Sequence, residues 1–178
     1  MGGLIFIGGG ARSGKSRLAL QLAEQAGPLR GFIATAQAWD DEMTARIHRH
    51  QDERDSSYTT IEEPLAVPER LAELPVCDVV LIDCLTLWLT NLMVEDVPDI
   101  QGRVNDLITA IADIPQPVIV VTNEVGLGIV PDNVLSRRFR DEAGSAHQAL
   151  AAATDTVYFG AMGMLLRLKP GPVEPVLT

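Results

Sequence analysis

The segment Gly9-Gly10-Ala11-Arg12-Ser13-Gly14-Lys15-Ser16 constrains this chain more than any other, because it satisfies every position of G-x-x-x-x-G-K-[ST]. Its setting is the one the motif requires. Residues 4–7 before it form a continuous apolar run, and residues 16–26 after it carry Leu18, Leu22 and Ala26 four apart, as on one face of a helix. A chain that turns from strand to helix through glycines aims backbone N–H groups inward, and the helix N-terminus adds its partial positive charge there. The result is a cradle for the phosphates of a nucleotide. Lys15 is placed to neutralise phosphate oxygens, and Ser16 to coordinate a Mg²⁺ ion that bridges them.

Further apolar runs bounded by Gly, Asp or Asn recur at residues 32–34, 79–82, 118–122 and 156–159, short and nearly continuous as in parallel strands covered on both faces. Residues 133–153 place Leu135, Phe139, Ala143 and Leu150 on compatible helical positions. Strands alternating with helices predict an α/β fold, a P-loop NTPase-like three-layer sandwich with a mostly parallel central sheet and ligands at the carboxyl ends of its strands. The 178 residues suit one domain, 1–178. Residues 64–75 and 97–99 hold most of the punctuation and predict loops around helices. Residues 163–178, with Pro170, Gly171, Pro172 and Pro175, predict an irregular tail after a short strand at 165–168.

Two strand ends carry polar groups. Val79-Val80-Leu81-Ile82-Asp83 has the form of a Walker B strand, whose carboxylate holds Mg²⁺ directly or through water. Thr122-Asn123-Glu124 follows residues 118–121 and faces the same crevice if the sheet is parallel. Asn123 and Glu124 there either orient a water, a metal ion or a substrate hydroxyl, or simply form a polar strand-ending turn. The Asn-Lys-x-Asp guanine reader of switch GTPases is not present at this position, since Glu124 follows Asn123.

A formal net charge of −10 repels a phosphate backbone, and the basic clusters Arg46/Arg49/Arg54 and Arg137/Arg138/Arg140 are short and interrupted by acids. They suit a few phosphates better than a duplex, so no nucleic-acid partner is expected. Cys77 and Cys84 lack the spacing of a zinc site or a disulfide framework and suit a reducing compartment. No basic n-region precedes the first apolar segment and no stretch approaches the roughly 18 apolar residues of a membrane span. The expectation is a cytoplasmic protein with no membrane span.

Residues 40–54 begin with two acids and contain no Gly or Pro, which predicts a helix. At about 100° per residue, His50 shares a face with Met43, Ile47 and Arg54, whereas His48 points roughly opposite. A neutral imidazole beside arginines is able to attack phosphorus, and the guanidinium groups favour that neutral form. Spacing alone leaves two readings of His50, a nucleophile or a satisfied structural histidine.

Taken together, these residues resemble the family of bifunctional adenosylcobinamide kinases and adenosylcobinamide-phosphate guanylyltransferases. The likeness runs from Gly9–Ser16 through Ile33-Ala34-Thr35, Asp41-Glu42-Met43, Arg46-Ile47-His48-Arg49-His50, Arg54, Thr60-Ile61-Glu62, Asp83-Cys84-Leu85-Thr86 and Asn91-Leu92. It continues through Thr122-Asn123-Glu124-Val125-Gly126, Gly128-Ile129-Val130-Pro131, Phe139-Arg140-Asp141 and Gly144. The resemblance implies two reactions. In one, ATP or GTP gives its γ-phosphoryl to the aminopropanol hydroxyl of adenosylcobinamide. In the other, a histidine attacks the α-phosphorus of GTP, pyrophosphate leaves, and adenosylcobinamide phosphate takes the GMP to give adenosyl-GDP-cobinamide.

By the same resemblance the nucleophile is His50, three residues after the Arg46-Ile47 pair, and Lys15 serves the catalytic phosphates. Nucleotide contacts fall on Gly9, Gly10, Ala11, Arg12, Ser13, Gly14, Lys15, Ser16, Ala34, Thr35, Gln51, Asp52, Glu53, Arg54, Glu62 and Asp83, with Ser16 and Asp83 on Mg²⁺. A homotrimer with sites near subunit boundaries is also implied. The chain departs from the family at Gln51, where a basic residue is frequent, at Tyr58, where Trp is usual, and near Gly144, where Ser145 and His147 replace Arg and Asn. The alternative on the phosphate loop and Asp83 alone is a small-molecule kinase or nucleoside triphosphatase without nucleotidyl transfer. A nucleotide-gated interaction protein is a third reading, for which no partner surface is legible.

Overall fold

The computed structural model describes residues 3–52 and 54–176, with the side chains of residues 46, 49, 50 and 52 outside that description. The chain alternates strand and helix for most of its length. In order it forms β1 (Leu4–Gly9), α1 (Lys15–Ala26), β2 (Arg30–Ala34), α2 (Asp41–Asp52), β3 (Tyr58–Glu62), α3 (Val67–Glu73) and β4 (Val79–Asp83). It continues through α4 (Leu85–Val94), α5 (Ile100–Asp113), β5 (Val118–Val121), α6 (Val134–Ala153), β6 (Thr156–Ala161), β7 (Met164–Lys169) and β8 (Glu174–Val176).

The eight strands among the described residues join one sheet in the order β3-β2-β4-β5-β1-β6-β7-β8. The pairings from β3 to β6 are parallel, and β7 and β8 add antiparallel at the far edge. Both faces are covered, as the continuous apolar runs require. Val80, Ile82, Val118 and Val120 pack on one face with α3, α4, α5 and α6, while Val79, Leu81, Ile119 and Val121 pack on the other with Leu18, Ala19 and Ala23 of α1. Period-two alternation thus feeds two separate cores from the same strands.

Helix α4 carries LTLWLTNLMV, seven of its ten residues buried, and lacks an amphipathic stripe because neighbours cover it almost all round. Trp88 Nε1 donates to the Leu65 carbonyl at 2.9 Å and ties α4 to the segment before α3. Among the described residues no helix is long and apolar enough to cross a membrane.

The tail differs from the expectation of an irregular segment. The strand expected at 165–168 is there as β7, and β8 then turns back onto it, with the prolines and Gly171 confined to the turn and the outermost strand. Proline is tolerated on an edge strand because its missing N–H faces no partner. Leu165, buried in the α1-side core, gives the hairpin an apolar anchor that composition did not reveal. Strand β3 was also not anticipated. It is an edge strand with no fully buried residue, which leaves no continuous apolar run.

The position of β5 matters most for function. It lies between β1 and β4, so the phosphate loop and Asp83 are two strand spacings apart, roughly 10 Å. The residues that follow β5 fill that gap.

Candidate active site

The phosphate loop is shaped by two backbone constraints. Gly9 ends β1 at φ 152°, and a Cβ there would lie 2.5 Å from the Gly160 carbonyl oxygen, so no side chain fits. Gly14 caps α1 in the left-handed region at φ 93°, a conformation that costs glycine nothing. Lys15 is 6% exposed, and its Nζ donates to the Gly10 carbonyl at 3.0 Å across the loop. Ser13 Oγ is buried at the loop base with no hydrogen-bond partner among the described residues.

A cavity of ≈ 700 Å³ runs from this loop along the carboxyl ends of the strands. Lys15, Ser16, Ala34, Gln51, Arg54, Glu62 and Asp83 all line it, so seven of the expected site residues converge from β1–α1, β2, α2, β3 and β4. Arg54 places its guanidinium 3.9 Å from the centre of the Phe32 ring, a stacked position that holds the positive charge over the cavity wall. Gln51 Nε2 donates to Glu62 Oε1 at 3.3 Å, joining α2 to the end of β3.

Helix α2 forms one wall through Met43, Thr44, Ile47, His48 and Gln51. His48 therefore faces the cavity, against the expectation that it points away. The backbone of His50 lies in α2 between His48 and Gln51; its side chain, with those of Arg46, Arg49 and Asp52, lies outside the described residues, as does Glu53 entirely.

Thr35 is placed differently from the other expected contacts. It is fully buried, and its hydroxyl donates to the Cys84 carbonyl and accepts from the Cys84 N–H, both at 2.8 Å. Asn91 Nδ2 then donates to the Thr35 carbonyl at 2.8 Å and to that of Pro64 at 3.0 Å. This clamp joins the ends of β2 and β4 behind the cavity. Burial, reinforced by the Asp83 charge, pushes the Cys84 thiol up to about 11, so it stays protonated and is no nucleophile at neutral pH.

Beyond β5, Thr122 N–H donates to Ile7 and Glu124 N–H to Gly9, continuing the β5–β1 ladder to the first residue of the phosphate loop. Asn123, between them, turns the other way: its Nδ2 donates to Thr86 Oγ1 at 3.1 Å, and the residue lines the cavity. His147 of α6 meets this segment from behind, Nε2 lying 2.8 Å from Thr122 Oγ1 and Nδ1 3.8 Å from Glu124 Oε2. Burial holds the His147 imidazole below its ordinary range, with the Glu124 charge opposing more weakly.

Sequence reasoning missed several lining residues. Trp39 is 61% exposed at the cavity and Leu87 stands on α4 beside it. One of only two tryptophans, in a segment with no apolar periodicity, was the signal for Trp39. The approach of His147 to Glu124 had no signal in spacing, since 22 residues lie between them.

Comparison with known proteins matches residues 5–168 to a family described as cobinamide kinase / cobinamide phosphate guanyltransferase. The chain is 47% identical to the bifunctional adenosylcobalamin biosynthesis protein CobP of Pseudomonas aeruginosa, over 94% of this chain and 98% of that protein. It is 41% identical to the bifunctional adenosylcobalamin biosynthesis protein CobU of Salmonella typhimurium, over 93% and 99%. Among solved structures, a RadB recombinase superposes with a TM-score of 0.58 at 13% identity, covering 97% of this chain and 85% of that one. That likeness concerns the fold alone.

Proposed function

The chain belongs to the cobinamide kinase / cobinamide phosphate guanyltransferase family, and from that premise we propose that its one domain carries out both reactions in the single cavity between the phosphate loop and α2. The observation that carries this reading is the convergence of Lys15, Ser16 and Asp83 with the wall of α2 on either side of position 50. Phosphate-binding and nucleotidyl-accepting elements then face one another.

For the kinase step, loop N–H groups and Lys15 hold the triphosphate of ATP or GTP and stabilise charge as the γ-phosphoryl passes to the cobinamide hydroxyl. For the second step, a His50 imidazole nitrogen forms a bond to the α-phosphorus of GTP while the bond to pyrophosphate breaks. Adenosylcobinamide phosphate then attacks the same phosphorus and restores the free histidine. Ser16 and Asp83 supply hard oxygen donors on one cavity, a sparse set that fits Mg²⁺, which keeps waters and takes its remaining ligands from the nucleotide. When bound, the ion would neutralise phosphate charge.

The homotrimer is supported by a run of exposed apolar residues from the segment after β5 into the first turn of α6, including Leu127, Ile129, Val130, Val134 and Leu135. Few monomers leave such a run to water.

Incubation with GTP labelled at the α-phosphorus tests the central claim. Wild type should acquire an acid-labile, alkali-stable label, His50→Ala should acquire none while still phosphorylating cobinamide, and Lys15→Ala should lose both reactions by roughly 100-fold or more. Label retained by His50→Ala rejects the assignment. No protein-bound label with any triphosphate, alongside intact phosphoryl transfer, favours the plain kinase.

A further inference from the structure

Trp39 stands where the cavity opens. The segment that links β2 to α2 runs from Ala36, half-buried, to Ala38 and Trp39, both exposed, and all three line the cavity. A residue that is 61% exposed and still lines a cavity is on its rim. The local fold holds it there. Its N–H donates to the Gln37 carbonyl at 3.1 Å, and Asp40 behind it caps α2, Oδ1 accepting from the Met43 N–H at 2.7 Å. An apolar residue just ahead of a helix cap commonly packs on an apolar residue four places after the cap. That position is Thr44, whose hydroxyl donates to the Asp40 carbonyl at 2.9 Å, so the partner such packing requires is missing. Among the described residues no ring or guanidinium stacks on the indole either.

A cavity of ≈ 700 Å³ encloses one ligand of ordinary drug size, and a nucleotide seated on Lys15 and Ser16 uses that room. Cobinamide is larger than the nucleotide, a corrin macrocycle edged with methyl groups and amide arms, with the acceptor hydroxyl at the tip of one arm. For that hydroxyl to meet the γ-phosphoryl, the arm must enter while the macrocycle stays at the mouth. We propose that Trp39 is the rim contact for the corrinoid, a specificity-determining residue whose indole covers the apolar edge of the macrocycle while the arm reaches toward the phosphate loop. An indole suits this position, because it offers a wide apolar area with little conformational entropy to lose. Met43 and Leu87 continue the apolar wall inward, whereas Gln51, Arg54 and Glu62 are polar and suit the nucleotide.

This inference rests on the proposed reaction with cobinamide and names where that substrate lies. Wild type, Trp39→Ala and Trp39→Phe are compared by equilibrium dialysis of cobinamide in the presence of a non-hydrolysable GTP analogue, by KM and kcat for phosphoryl transfer, and by self-guanylylation with GTP alone. Alanine should weaken cobinamide binding and raise its KM by about tenfold or more, with phenylalanine between alanine and wild type. Over the same series, kcat at saturating cobinamide and the rate of self-guanylylation should stay within about twofold of wild type. An alanine variant that binds cobinamide as wild type does overturns the proposal. So does one that loses GTP affinity or self-guanylylation instead, which would put the indole on the nucleotide. A variant that falls from an assembly to single chains in light scattering overturns it too, by putting the indole between subunits. Wild type that binds cobinamide without phosphorylating it would sink the kinase reading and leave the dialysis comparison to decide this one, whereas wild type that binds no cobinamide sinks both.

Discussion

At the scale of single residues, the site divides groups that face a ligand from groups that hold the frame. Lys15 and Ser16 were legible because a local motif specifies them, and the chemistry of each follows from its place in eight consecutive residues. His147 was legible only as a departure from a family pattern. Its place in the fold comes from α6, which brings the ring to Thr122 at the end of β5. Burial lowers its proton affinity below the ordinary value of 6.5, so the folded protein binds that proton less readily than the unfolded chain. A depressed folded value means the stability is present above about pH 6.5 and is lost as pH falls through the folded value. The melting temperature of wild type should therefore drop more between about pH 7.5 and about pH 5.5 than that of His147→Asn. Equal drops in the two proteins would show that the ring does not titrate between folded and unfolded states in this window.

At the scale of elements, strands were easier to find than the way their ends are joined. The apolar runs at β1, β4 and β5 announced themselves because burial on both faces demands continuous hydrophobicity. Strand β3 and helix α4 did not, one being a half-exposed edge and the other apolar on all sides. Thr35 illustrates the limit. The resemblance made it a nucleotide contact, whereas in the fold its hydroxyl closes the gap between β2 and β4. Thr35→Val keeps the shape but strands the buried Cys84 N–H, while the Cys84 carbonyl keeps the Trp88 N–H, a loss of about 2 kcal/mol. Thermal melting should register this as a fall of roughly 4–8 °C. GTP affinity measured on the same variant separates the two roles, since a loss of binding without a loss of stability would return Thr35 to the nucleotide.

At the scale of the whole molecule, the net charge of −10 sets the background against which a small cavity holding Lys15 and Arg54 must draw a polyanion. The 125–135 region carries a run of exposed apolar residues on that surface, with Ile129 97% exposed. If it closes a trimer, Ile129→Asp places a charge in the contact, and light scattering should show three times the chain mass for wild type and a single chain for the variant. A wild type that runs as a monomer at micromolar concentration refutes the assembly. The sequence by itself determined the α/β class, the phosphate cradle and the order of its motifs, because each depends on neighbours within a few residues. Only the tertiary structure decided that β5 inserts between β1 and β4, that α2 walls the cavity with His48 facing in, and that Glu124 meets His147. Those facts depend on contacts between segments far apart in the chain, and such contacts are chosen by the packing of whole surfaces, which no local pattern records.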